Sequence, residues 1–459
     1  MAKIKSAFYE AWVGYKKCAF GYDFLKPISC TGENWINASL TLIDSLDTLW
    51  LMGLNHDFDD AVFYLENYFE YNASGAVFEM IIRVVGGLLS AYQLSGRQSL
   101  LTIAEEFASK LSSSFDTPTS LPIPNIDIAT GKATTWAWAP RSTFLSHAGS
   151  LAPELLTLAQ HTGNDLFFNI SNHVLQFFFR QQSYNGLWPL KIDFSTGFFG
   201  DLDLSFDAYG DSFYEYLLKL YILTDGQCRK CEELYLNAIH GMEEYLLRDG
   251  QNGAYVSSVK SGINVERITH LSFFIPGMLA LGSRYFNHDD LNLAIKMCNI
   301  SSRWHSSTPS GLIGEEMHFI NGSIYLTDVR YRLRPEFMES LFYLYRFTGD
   351  HVWRDIGWKL FKNIIKHCKA ANGFGELKNV ERPELGVNDI QDSYLLSETF
   401  KYAYLLFSNS SFVPLNKYVF TTEAHPLRKL DQKWMESKFA NVYGFRLKKA
   451  KKKAKKEEL

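Results

Sequence analysis

Six cysteines in 459 residues are too few for a scaffold built on disulfides, which takes over only where a core is too small to hold the fold. The pair in Cys228-Arg-Lys-Cys231 follows a turn at Asp225-Gly226, with no second pair of close ligands and no βαβ context. Neither a zinc site nor a thioredoxin-like role follows from it, and its two readings are a local disulfide or two free thiols. Excess charge is also missing. A formal net charge of −4 gives nucleic acid nothing to be drawn to. No apolar run reads as long enough to span a membrane, and Met1-Ala-Lys-Ile-Lys lacks the apolar core of a signal peptide. Alternating strand patterns are few and short.

What the chain has is aromatic and aliphatic bulk. It is 46% hydrophobic and 15% aromatic, with 35 Phe, 25 Tyr and 10 Trp, enough to bury a large core; core filling is the better reading for most of these rings, although aromatic faces also suit sugar rings. Apolar residues recur at i, i+3, i+4 and i+7 along most of the sequence, which reads as nearly all helix. A long apolar helix runs into a Gly or Asn turn seven times: at Met52–Asn55, Leu94–Gly96, His161–Asn164, Thr224–Gly226, Phe286–Asp289, Phe347–Asp350 and Phe407–Asn409. Later repeats are spaced by about 60 residues, enough for one helical hairpin each. A stack of hairpins stays open as a solenoid or closes into a toroid. Closure is the preferred reading, because Glu79, Glu154, Asp211, His270, Glu336 and Glu398 keep a similar phase ahead of their turns and would meet on one rim of a central cavity. The segments Thr117–Pro124 and Leu187–Gly200 read as connectors, the second reaching toward the cavity mouth. Beyond Leu427 the pattern decays into a basic tail, 428–459, read as flexible.

The segment Leu333-Arg334-Pro335-Glu336-Phe337-Met338-Glu339 carries the sharpest chemical signal. Proline suits a first helical turn, and two glutamates there meet the positive end of the helix dipole, which favours their ionised form. An ionised carboxylate is what a general base requires. Glu79 stands among Val77, Phe78, Met80, Ile81 and Ile82, with Arg83 four residues on, the spacing of an ion pair on one helix face. Gly86-Gly87 in mid-helix makes sense only where something packs against the backbone. Asp211 opens a helix after Gly210, as an N-cap or as a chemical group. Asp44 and Asp47 read as structural acids, while Glu398 and Thr422-Glu423-Ala424-His425-Pro426 complete the polar set.

Together these motifs resemble glycoside hydrolase family 47, the class I α1,2-mannosidases, over roughly residues 5 to 427. The matching strings are Leu42-Ile-Asp44-Ser-Leu-Asp47, Phe78-Glu79 through Arg83 and Gly86-Gly87, Asp211-Ser-Phe-Tyr-Glu215, Arg334-Pro-Glu336-x-x-Glu339, Glu398-Thr-x-Lys-Tyr402 and Thr422-Glu-Ala-His-Pro426. Thr31–Asp47 and Asn72–Leu94 look most like the branch of mannosidase-like proteins that enhance degradation in the endoplasmic reticulum (ER); Ser340–Phe361 looks closer to the processing enzymes. The resemblance implies an (α/α)7 barrel and hydrolysis with inversion. It implies Glu79 as general acid, acting directly or through a water, Glu336 as general base and Asp211 as a further catalytic carboxylate. Arg83, Glu154, His270, Arg334, Glu339, Glu398 and Glu423 would line the site, and Tyr394 would take the sugar-stacking position. Thr422 would bind Ca²⁺ through its hydroxyl and carbonyl oxygens, in keeping with a hard cation's taste for oxygen.

Two departures stand out against the family. His147 replaces the usual acid and Ala152 the usual Gln, and Phe273 takes a half-cystine position, leaving Cys298 without its partner. The implied substrate is a high-mannose N-glycan on a glycoprotein, the implied partners an ER oxidoreductase or a factor of ER-associated degradation. Sequons at Asn37, Asn72, Asn169, Asn299, Asn321 and Asn409 and the terminal Lys456-Glu457-Glu458-Leu459 point to the ER lumen. The other reading of the same cavity is a glycan-binding factor of ER-associated degradation with little or no hydrolysis.

Overall fold

The computed structural model describes residues 1–250, 253–286, 289–320 and 323–448. Asn287 and His288 of the fifth turn, the sequon residue Asn321 and the terminal Lys-Glu-Glu-Leu lie outside the described residues. In chain order the barrel helices are α1 (Ala2–Cys18), α2 (Leu40–Leu51), α3 (Asn55–Tyr68), α4 (Val77–Ser95), α5 (Gln98–Lys110), α6 (Ala152–Thr162) and α7 (Asp165–Arg180). They continue as α8 (Asp211–Leu223), α9 (Arg229–Gly241), α10 (His270–Ser283), α11 (Asp290–Ser307), α12 (Glu336–Thr348), α13 (Val352–His367) and α14 (Leu395–Thr399 running on as Phe400–Leu406). Each even-numbered helix packs on the next, and α14 returns to α2. The stack is therefore a closed (α/α)7 barrel, with the odd-numbered helices as its outer ring.

Burial follows from this placement. On α7 only the stripe Phe167, Phe168, Ile170, Ser171, Val174, Leu175, Phe178 and Phe179 is buried, the one-sided pattern of a helix backed by solvent. On α2 every residue from Leu40 to Leu49 is buried, as an inner helix requires. The same position explains α4. By length and composition it is apolar enough to cross a bilayer, which the sequence reading did not expect, but 72% of its apolar window is buried inside the barrel. Its apolarity serves the core.

Gly86 and Gly87 sit where α4 meets the barrel centre. A Cβ on Gly87 would come 3.0 Å from both Cγ2 and the carbonyl oxygen of Ile43, and one on Gly86 would come 3.1 Å from Cδ2 of His425. We expect Gly87→Val to lower stability by about 1–3 kcal/mol through overpacking, read as a lower urea midpoint with unchanged slope.

The last piece of the barrel is a hairpin of strands Tyr418–Phe420 and Pro426–Arg428. Leu430 N–H bonds the carbonyl of Leu223, the last residue of α8, at 2.9 Å. The amide of Thr422, at the hairpin tip, bonds the Tyr216 hydroxyl at 3.2 Å, almost two turns back along that helix. The hairpin thus enters from the C-terminal ends of the inner helices and plugs the barrel, with Thr422 on the floor of the opposite opening.

The expectation of a flexible tail starting at 428 is corrected for residues 428–448. A further helix, α15 (Gln432–Phe439), is N-capped by the Asp431 side chain and buries Met435 and Phe439. Disulfides join Cys18 to Cys30 and Cys228 to Cys231, so the second pair takes the first of its two readings. Cys298 and Cys368 are free and buried.

Candidate active site

All six phased residues fall in the first turn or so of an inner helix: Glu79 on α4, Glu154 on α6, Asp211 on α8, His270 on α10, Glu336 on α12 and Glu398 on α14. Equal phase has become equal height. The N-terminal rim of the inner ring opens into a cavity of about 310 Å³, at the lower end of the roughly 300–1,000 Å³ typical of small-molecule sites. It has room for one sugar residue and its waters. Its wall carries seven carboxylates, Glu79, Asp211, Glu215, Glu336, Glu339, Glu398 and Glu423, against two guanidiniums, Arg83 and Arg334.

Arg83 is the hub of one side. Its Nε bonds Glu79 Oε2 at 2.7 Å, the i,i+4 pair expected from the sequence, and its Nη1 bonds Glu423 Oε2 at 2.9 Å and Ser393 Oγ at 3.1 Å. Asp44 Oδ2 lies 3.5 Å from the same Nη1. Arg334 is held by Glu315 through contacts of 3.0 to 3.3 Å. Both guanidiniums lie over the Tyr394 ring, at 5.9 and 5.4 Å from its centroid. The Tyr394 hydroxyl is tied back to the Arg332 carbonyl and to Asp392, leaving the ring on the cavity wall.

Opposite stands Glu336. Pro335 is its N-cap and Glu336 the first residue of α12, approached through Leu333, a non-glycine in the left-handed region with φ 63°. Such strain persists only where the surroundings fix it, here through Thr399 Oγ1 on the Leu333 carbonyl at 2.7 Å. His270 Nδ1 meets Glu336 Oε2 at 2.9 Å.

Two residues expected to line the cavity do not. His270 is 1% exposed and lies behind Glu336, its contact with the cavity made through that carboxylate. Glu154 is fully buried with Tyr216 beside it. The Tyr216 hydroxyl donates to Glu154 at 2.6 Å and accepts the amide of Thr422, so Glu154 braces the floor instead of facing it. The 187–200 segment also stays out of the cavity wall. The other ten predicted residues line it. Glu215 was missed although its signal was present: an acid four residues before Lys219 on a helix apolar all round. The two form a close buried ion pair.

Burial and mutual repulsion set the acidity of this group. Asp211 is pushed up to about 8 by burial, against the amide of Ser212 at 2.7 Å and with Asp207 and Glu215 adding to the rise. Glu339 is raised to about 8 by burial, which Glu215 reinforces and Lys219 opposes. Glu423 rises to about 8 by burial, although Arg83 pulls it down. Glu398 lies well above the usual range through burial and the charges of Glu423, Glu336 and Glu339. His147 moves the other way, down to about 4, because burial disfavours the imidazolium. It is therefore neutral at pH 7 and brings no charge to the cavity wall.

The floor residue Thr422 fits a hard cation. Its hydroxyl and carbonyl take part in no hydrogen bond among the described residues, and the surrounding carboxylates exceed their cationic partners. No group of three or more His, Cys, Asp or Glu side chains among the described residues forms a direct metal cage. A metal here would be held by backbone and hydroxyl oxygen and by waters that the carboxylates order.

A closed toroid of helical hairpins with a carboxylate-lined pit at its axis suits hydrolysis of a glycosidic bond, which two carboxyl groups carry out. Residues 7–429 match the sequence model of glycosyl hydrolase family 47, and the chain belongs to that family. It is 35% identical over 442 residues to mouse mannosyl-oligosaccharide 1,2-alpha-mannosidase IB, covering 93% of this chain and 69% of the relative. It is 36% identical over 444 residues to the rat endoplasmic reticulum mannosyl-oligosaccharide 1,2-alpha-mannosidase, covering 92% and 67%. The solved alpha-1,2-mannosidase from Trichoderma reesei superposes with a TM-score of 0.88 at 27% identity, covering 94% of this chain and 98% of that one.

Proposed function

We propose that the protein is a Ca²⁺-dependent, inverting exo-α1,2-mannosidase that trims mannose from N-glycans in ER quality control. The observation that carries this is the placement of Glu79 and Glu336 on α4 and α12, three steps apart round the inner ring, with a sugar-sized cavity between them. Inversion needs an acid and a base on opposite faces of the ring, roughly 6.5–9.5 Å apart, so that a water fits on the far side. Glu336, with His270 holding one oxygen, takes the proton of that water as it attacks the anomeric carbon. On the other side a proton passes to the departing glycosidic oxygen. Glu79 supplies it directly or through a water, and Asp211, held protonated at neutral pH, is a second source. Arg83 and Arg334 bind sugar hydroxyls, and Tyr394 offers its ring face. Calcium bound at Thr422 would fix two sugar hydroxyls and favour ring distortion.

The compartment is supported by the ER-named relative and by the sequons. Among the described cysteines only Cys18 and Cys30 are not fully buried, so an ER oxidoreductase would reach the protein there. The neutral His147 favours the second reading, a glycan-binding factor that passes misfolded glycoproteins to degradation. One assay separates them. Purified protein with Ca²⁺ releases mannose from a high-mannose oligosaccharide, and chelation stops release; binding without release under both conditions would establish the second reading instead.

A further inference from the structure

The cavity wall does not end at the rim. On the side of Phe78 and His147, two lining residues whose rings stack at 4.8 Å and 10°, a run of aromatic rings continues outward. Tyr209, also a lining residue, stacks on Phe144 at 4.2 Å and lies 5.6 Å from His147. Phe144 stacks on Trp138 at 5.4 Å, and Trp138 on Trp136 at 5.6 Å. Trp136 closes the cluster on His147 at 5.4 Å. Trp138 is 63% exposed. A large indole held flat against two other rings yet left in solvent is a preformed apolar surface with nothing covering it.

We propose that Trp138, with Trp136, Phe144 and Tyr209 behind it, is an outer sugar platform that receives a non-terminal pyranose of the oligosaccharide whose terminal residue occupies the cavity. The proposal rests on the mannosidase reading above. Continuity argues for a sugar: Tyr209 stands at the cavity rim, where the residue next to the terminal one would lie, and the Trp138 ring is 6.4 Å from it, the place of a third residue that a disaccharide lacks. A pyranose pairs an apolar C–H face, which stacks on indole, with a rim of hydroxyls. Groups for those hydroxyls are at hand. Arg141 follows in the same loop with its side chain 75% exposed, 3.4 Å from Asp193. The backbone fixes the platform, since Tyr209 and Arg141 take φ of 72° and 55°, and strain of this kind marks ligand clamps.

The test compares Trp138→Ala and Trp138→Phe with wild type on two substrates, a free branched high-mannose oligosaccharide and the disaccharide mannosyl-α1,2-mannose. Trp138→Ala is expected to lower kcat/KM on the oligosaccharide about tenfold through KM, with the disaccharide unchanged and Trp138→Phe close to wild type. An equal loss on both substrates, or no loss on either, overturns the proposal. Loss only when the glycan is carried on an unfolded polypeptide, and not on the free oligosaccharide, also overturns it by assigning the surface to the polypeptide. If wild type hydrolyses neither substrate, the mannosidase reading has failed, and calorimetric titration with the oligosaccharide decides the platform alone. Weaker binding by Trp138→Ala supports it; equal binding, or none to wild type, overturns it.

Discussion

Glu336→Gln is expected to cut mannose release by roughly 10²–10⁴-fold, the usual contribution of one proton-transfer group, while the protein still folds and still binds glycan. The amide has the shape of the carboxylate and keeps an oxygen within reach of His270 Nδ1, 2.9 Å away in the parent. It lacks the basic oxygen that takes the water's proton. Because among the described residues the side chain meets the cavity and hydrogen-bonds His270 alone, little else is lost. Calorimetric affinity for the oligosaccharide and the thermal midpoint should therefore stay near wild type. Activity within tenfold of wild type would place the base elsewhere in the carboxylate ring, with Glu339, one turn along α12, the next to examine.

The fold was legible because it repeats. Apolar periodicity gave the helices, and seven turns gave the hairpins. Closure was legible only through polar phase: Glu79, Asp211, Glu336 and Glu398 mark the same end of successive inner helices, a regularity that an open stack would not require. The ring contact of α14 with α2 lies outside what one sequence expresses, being a contact between residues some 350 apart, such as Lys401 with Asp47. Which acids face the cavity was partly hidden for a related reason. Phase sets height along a helix and leaves rotation about its axis open. His270 and Glu154 stand at the right height but turn behind Glu336 and Tyr216, whereas Glu215, one turn below Asp211, turns inward. The Trp136–Trp138 surface comes from a loop with no periodicity, so its stacking on Phe144 and Tyr209 had no pattern to announce it. Residues 428–448 were misjudged because a single short helix, anchored by Met435 and Phe439, is too little for a periodic signal.

Arg83→Met should be the most damaging substitution to stability, at about 3–5 kcal/mol, the cost of leaving buried charge unpaired. Arg83 is the one cation within ion-pair distance of Glu79 and Glu423 among the described residues; it also lies 3.5 Å from Asp44, which His425 approaches from the other side at 3.4 Å, and the Glu423 and Asp44 side chains are 6% and 0% exposed. Methionine fills much of the stem's volume, so the loss reports charge more than packing. The sign of its pH dependence follows from Glu423, whose carboxyl is raised from 4.5 to about 8 by burial even with Arg83 present. A carboxyl raised on folding stabilises fully below its unfolded value and loses that contribution as pH rises through its folded value. Removing Arg83 raises the folded value further, so the mutant can protonate its way out of the conflict at low pH and not at high pH. The gap between mutant and wild type should stay level from pH 5 to about 7 and widen as pH rises through 8 and beyond, where wild type has ionised Glu423 and the mutant has not, read from urea midpoints from pH 5 to 10. Arg83→Lys should recover part of the loss, since a point charge replaces some of the attraction but cannot reach Glu79, Glu423 and Ser393 with one planar fork. A gap that stays constant with pH would assign the damage to packing and would remove Arg83 from the centre of the site's electrostatics.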